Sequence, residues 1–146
     1  MPAVGFETIM RKTKSQLGQL LPRPTDTELS ILRVLWQHGP GSVRETLRHF
    51  NHDQGVEAGY TTILKMLQIM ADKGLVERDD SQRPQVYSAR LPQEQTQRQL
   101  VNDLVDKAFG GSAKDLVMQA LASKEASEEE LAQIERLLDR FEGGRK

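Results

Sequence analysis

Thr61, Thr62 and Lys65 stand together in one short stretch, Tyr60-Thr61-Thr62-Ile63-Leu64-Lys65. Read as a helix over residues 60–73, it turns Ile63, Leu67 and Met70 to one apolar face and projects the two threonines and the lysine from its first turns. A threonine hydroxyl can donate to a phosphate or a base edge, and its methyl can meet a thymine methyl. A lysine can reach a phosphate or a guanine edge. The unpaired N–H groups of a helix start also favour a phosphate. The plainer reading makes the threonines caps and Lys65 a solvated charge. Spacing alone leaves both open.

Other cations extend the pattern. Arg44 and Arg48 lie one helical turn apart and could touch backbone phosphates, although exposed arginines are usually only solubilising. Arg83, with Arg78 nearby, falls in a turn that a wing would lay along a minor groove. Asp79 and Asp80 sit beside them and oppose a phosphate. Arg11, Lys12 and Lys14 make the first residues a basic arm. His49, His52 and Asp53 could bind a metal in principle, but loop histidines are more often solvated, and no metal or other cofactor is expected. A Gly-rich phosphate loop, a nucleophile motif and cysteine are all missing from the sequence, so an enzyme is the weakest reading.

These side chains need elements to hold them. Thr25-x-x-Glu28 and Ser42-x-x-Glu45 have capping-box spacing, and each opens a helix. The first carries Leu29, Leu32 and Trp36 on one face with Ile31 and Leu35 beside them, and stops at Gly39-Pro40-Gly41. The second carries Val43, Leu47 and Phe50, and residues 51–59 read as a loop. The helix over 60–73 ends at Lys73-Gly74. Residues 75–78 and 85–88 then read as two strands joined by a polar turn over 79–84. Three helices followed by a hairpin is the order of a winged helix.

The character changes past Pro92. Residues 93–109 form a long helix with Leu100, Val101, Leu104, Val105 and Ala108 on one face, and Gly110-Gly111 breaks it. Ser112-x-x-Asp115 opens a short helix with Leu116, Val117 and Leu121. Ser127-x-x-Glu130 opens a last one, where Leu131, Ile134, Leu138 and Phe141 keep a seam-like spacing. Three short helices make a poor core alone. Their stripes need a partner, and a second copy of the chain is the economical one. Folding back on the front domain is the other option.

Composition is consistent with this plan. The chain has 146 residues, no cysteine and a net charge of −1. Residues 1–90 hold twelve Lys/Arg against ten Asp/Glu, and residues 91–146 hold eight against eleven. A polyanion therefore prefers the front half. Disulfides and thiolate metal sites are impossible. No apolar run approaches a membrane span, and residues 1–9 lack the pattern of a secretory signal, so a cytoplasmic location is the expectation. The expected class is mainly α with a small β-hairpin. Residues 1–23 form an N-terminal arm whose Leu17, Leu20 and Leu21 can dock on the body, 24–91 a winged-helix DNA-binding domain, and 92–146 a helical dimerisation domain.

The ordered set Pro24-Thr25-x-x-Glu28-Leu29-x-Ile31-Leu32-x-Val34-Leu35-Trp36, Ser42-Val43-Arg44-Glu45, Tyr60-Thr61-Thr62-Ile63-Leu64-x-Met66-Leu67, Lys73-Gly74-Leu75-Val76, and Arg83 with Val86-Tyr87 resembles the BlaI/MecI penicillinase-repressor family. The resemblance spans about residues 22 to 142. It implies a homodimeric transcriptional repressor on a palindromic operator, with DNA contacts at Tyr60, Thr61, Thr62 and Lys65 supported by Arg44 and Arg83. It implies dimerisation through the C-terminal helices. It also implies a membrane-bound zinc metalloprotease sensor that relieves repression by cleavage. The chain departs from the family where antibiotic-resistance members have Asn-Phe at the cleaved bond: Gln119-Ala120 stands there. The cysteine cluster of copper-responsive relatives is missing. A winged helix used for protein contact, or one that senses a small ligand, are the alternatives.

Overall fold

A computed structural model describes residues 22–123 and 127–143, the side chains of 141–143 excepted. The basic arm, the cluster of Leu17, Leu20 and Leu21, and the side chain of Phe141 lie outside the described residues. The chain divides into two compact units, with the boundary between Gln99 and Leu100.

The first unit runs α1 (Asp26–His38), α2 (Val43–Gln54), α3 (Tyr60–Lys73), β1 (Val76–Asp79) and β2 (Val86–Ala89), and then enters α4 (Gln93–Ala108). Both capping boxes are formed. The Glu28 amide donates to Thr25 Oγ1 at 3.3 Å, and the Thr25 amide donates to Glu28 Oε1 at 2.8 Å. The Glu45 amide donates to Ser42 Oγ at 3.2 Å and the Ser42 amide to Glu45 Oε1 at 3.4 Å. Each box satisfies two backbone donors that the helix itself leaves free.

The buried faces differ in detail from the sequence pattern. In α1 the covered residues are Ile31, Leu32, Val34 and Leu35, while Leu29 and Trp36 are half-buried. Trp36 lies at the margin because its indole N–H donates to the Leu91 carbonyl at 3.0 Å. In α2 Val43 and Phe50 are buried and Leu47 only partly so. Thr46 is buried with them, its hydroxyl donating to the Ser42 carbonyl at 2.8 Å. The stretch expected as a loop from residue 51 begins as helix. It continues to Gln54 and turns at Gly55 in the left-handed region. Asn51 accounts for this: its side chain accepts from the Ala58 amide at 2.9 Å and donates to the Ala58 carbonyl at 3.1 Å, closing the turn from inside the helix.

Ile63, Leu67 and Met70 of α3 are at most 1% exposed and meet Leu75, Val76 and Tyr87 in the same core. Each such side chain contributes on the order of 1.5–3 kcal/mol through burial. Gly74 ends α3 at φ +80°, and its amide returns to the Met70 and Ala71 carbonyls. The strands start one residue later than the pattern suggested. They pair antiparallel in the register Val76–Ala89, Glu77–Ser88, Arg78–Tyr87 and Asp79–Val86. A third strand-like contact ties the α1–α2 loop to the hairpin. The Gly41 amide donates to the Tyr87 carbonyl at 3.0 Å and the Tyr87 amide to the Gly41 carbonyl at 2.8 Å. Three helices and a hairpin joined to the first interhelical loop make a winged helix.

The second unit holds the end of α4, α5 (Ala113–Ser123) and α6 (Glu128–Gly143). Ser112 Oγ accepts from the Asp115 amide and Ser127 Oγ from the Glu130 amide, each at 3.1 Å, so both starts are capped as the spacing predicts. Val105 is covered within the chain, at 8% exposure. Leu100, Leu116 and Ile134 are half-buried. Leu104, Leu121, Leu131 and Leu138 are exposed, and no residue of α5 is buried.

Candidate nucleic-acid interface

The position of α3 follows from its apolar side. With Ile63, Leu67 and Met70 sealed in the core, the residues at the opposite pole of the helix must face outward. Thr61, Lys65, Gln68 and Asp72 follow one another at that pole, and all four are exposed. Thr62 is exposed on one flank and Tyr60 on the other. The helix starts at Gly59, which has no side chain to cap the first N–H groups. The outer line is polar and cationic at its start and acidic at its end. A phosphate or guanine therefore meets Lys65 favourably and Asp72 unfavourably, which orients any nucleic acid toward the N-terminal half. Sequence reasoning missed Gln68. Its seven-residue step from Thr61 was the available signal, and its amide can pair with an adenine edge.

Arg44 opens α2 and is exposed, with its guanidinium carbon 5.6 Å from the centre of the Tyr60 ring. A cation over an aromatic face is attracted by the ring quadrupole. The two residues are sixteen apart in sequence, and the packing of α2 against α3 brings them together. They border a cleft of about 290 Å³ lined by Ser42, Val43, Arg44, Tyr60, Leu64, Pro84 and Gln85. The cleft thus joins the starts of α2 and α3 to the hairpin. Gln85 is a second residue that sequence reasoning passed over, because nothing local reveals that the wing returns to α2.

The hairpin turn has its own internal order. Asp79 Oδ1 accepts from the Ser81 backbone amide and hydroxyl, and Oδ2 accepts from the Gln82 side-chain Nε2 at 2.9 Å. The Ser81 and Gln82 bonds hold the Asp79 carboxyl below its ordinary value. Arg78 Nε lies 2.7 Å from Asp80 Oδ1, so that cation is engaged. Arg83 is exposed and has no ion pair among the described residues.

The histidines go elsewhere. His49 stacks on His38 with ring centres 3.7 Å apart and planes 7° from parallel, and His52 Nδ1 lies 3.6 Å from Asp53 Oδ1. Among the described residues no group of three or more His, Cys, Asp or Glu could hold a metal ion. Among the same residues no helix is long and apolar enough to cross a membrane. Gln119 and Ala120 are exposed in α5.

Comparison with known proteins adds a family. The family model described as penicillinase repressor matches residues 24–140. The chain is 20% identical over 126 residues to the penicillinase repressor of Bacillus licheniformis, covering 86% of this chain and 97% of that one. Among solved structures it is similar to a MarR family protein from Bacillus stearothermophilus, with 19% identity, TM-score 0.42, and coverage of 95% of this chain and 91% of that one. It is also similar to Bordetella bronchiseptica BpsR, a protein whose DNA binding is regulated by 6-hydroxynicotinic acid, with 15% identity, TM-score 0.40, and coverage of 98% and 97%. A third similarity is to reduced AbfR bound to DNA, with 16% identity, TM-score 0.35, and coverage of 94% and 90%.

Proposed function

The chain belongs to the penicillinase repressor family and is a DNA-binding transcriptional repressor rather than an enzyme, and from that premise we propose that it acts as a homodimer on a palindromic operator. Residues 24–91 form the DNA-reading domain. Thr61, Thr62 and Lys65 enter the major groove with Tyr60 beside them, and Arg44 and Arg83 hold flanking phosphates. One observation carries this reading: α3 is sealed on its apolar side and exposed along Thr61, Lys65 and Gln68.

Residues 92–146 join the two copies. Leu104, Leu131 and Leu138 lie exposed on α4 and α6, with Leu100, Val105 and Ile134 on the same helices. Phe141 extends the seam in the sequence. A two-fold pairing covers the side chains of these stripes that the single chain leaves exposed, Val105 being already covered, and sets two recognition helices against successive half-sites, which a palindrome matches. The repressor works in the cytoplasm. A membrane-bound metalloprotease sensor relieves it by cleavage in the C-terminal region, with the stretch around Gln119 and Ala120, ahead of α6, as the candidate region.

The test is binding of the full chain to a duplex carrying the inverted repeat upstream of its own gene, against a scrambled duplex, across a salt series. Tighter binding to the repeat is expected, weakening with a log–log slope of about −0.9 per phosphate neutralised. Equal affinity for both duplexes, or no salt dependence, overturns the reading.

A further inference from the structure

We propose that the cleft between α2, α3 and the wing seats one phosphodiester group of the bound duplex. Arg44 and Gln85 supply the donors, and Tyr60 is the residue that positions Arg44. The inference rests on the DNA-reading function proposed above and assigns the backbone contact that the fold builds for it.

Charge singles out the occupant. The cleft lining contains a guanidinium, an amide and hydroxyls but no carboxylate. Of the four acids within five residues of the lining in sequence, Glu57 is exposed and outside the lining, and the other three are turned to other work. Glu45 accepts from the Ser42 amide in its capping box, Asp79 is tied to Ser81 and Gln82, and Asp80 is paired with Arg78. An anion entering the cleft therefore meets donors and no carboxylate among the lining residues.

Tyr60 makes the Arg44 donor a placed one. The ring 5.6 Å from the guanidinium carbon attracts the cation without taking up its N–H donors, and a planar fork can bind a phosphate through two hydrogen bonds. Gln85 reaches the same space from the hairpin, so one phosphate bridges the helix-turn-helix and the wing. Size agrees with this. A volume of about 290 Å³ stands at the small end of the roughly 300–1,000 Å³ of pockets that enclose organic ligands. It suits one group on a passing polymer.

The experiment compares the full chain with variants on both the repeat and the scrambled duplex. Arg44→Ala should weaken binding to the two duplexes by the same factor and lower the salt slope by about 0.9. Gln85→Glu, which sets a carboxylate against the phosphate, should weaken both roughly tenfold or more. Gln85→Ala should weaken both by less. Tyr60→Leu should lose affinity with the salt slope kept, and Tyr60→Phe, which restores the ring, should recover most of that loss. Melting temperatures equal to the parent chain confirm that the fold is kept. A Gln85→Glu chain that binds like the parent overturns the cleft alone, as does an Arg44→Ala loss confined to the repeat. A parent chain that ignores duplex DNA overturns the repressor reading and the cleft with it.

Discussion

Lys73 Nζ lies 2.6 Å from Glu28 Oε1, joining the last turn of α3 to the first turn of α1. Glu28 is 2% exposed and also completes the capping box with Thr25, so one carboxylate starts one helix and anchors the end of another. Burial pushes its carboxyl up. The hydrogen bonds from Lys73 and Thr25, with the Lys73 charge, outweigh that and hold it below the ordinary 4.5. A depressed native value means the pair's stabilisation is present above pH 4.5 and is lost as pH falls through the native value.

Glu28→Gln keeps an acceptor for the Thr25 amide and removes the charge. It should cost about 1–3 kcal/mol at pH 7, toward the lower end because Lys73 is partly solvated. Urea unfolding at pH 7 and pH 4 checks this, and the variant should lose less than the parent on acidification.

The His38–His49 stack gives a second pH dependence, on the α1–α2 packing. Desolvation lowers the His49 pKa from 6.5, and the nearby His38 and Arg48 charges add to it, against Asp53 and Glu45. The folded state therefore resists protonation. Stability is full above pH 6.5 and declines as pH falls from there toward the lowered native value. His49→Gln should flatten the change in melting temperature between about pH 7 and pH 5. An identical slope in parent and variant counts against the stack as its source.

Lys65→Ala removes the one cation on the outward line of α3. Operator binding should fall by about 1–3 kcal/mol if Lys65 pairs a guanine edge, with a smaller loss on a scrambled duplex. Fluorescence anisotropy at moderate salt reads both. An unchanged affinity excludes Lys65 from the interface.

Leu131→Asp with Leu138→Asp puts two charges on the exposed apolar side of α6. Neither side chain is buried in the single chain, so the first unit should keep its melting transition. Sedimentation should show monomers, and binding to the repeat should weaken toward that of a single half-site. A double variant that remains dimeric rules out this seam.

The local grammar was legible in the sequence. Both complete capping boxes, the glycine stop at Gly74 and the inward set Ile63, Leu67 and Met70 depend on residues a few positions apart, and helical spacing alone places them. Where a local signal pointed the wrong way, a distant or unusual partner explains it. Polar residues from 51 onward suggested a loop, yet Asn51 stays helical because its amide closes on Ala58. Trp36 belonged to the apolar stripe on spacing, yet it sits at the margin to reach Leu91. Tertiary structure alone decided that Glu28 meets Lys73, that Gly41 pairs with Tyr87, and that Arg44, Tyr60 and Gln85 share one cleft. Those groups are sixteen to forty-six residues apart, and the periodicity of a helix or strand carries no information about which distant faces will meet.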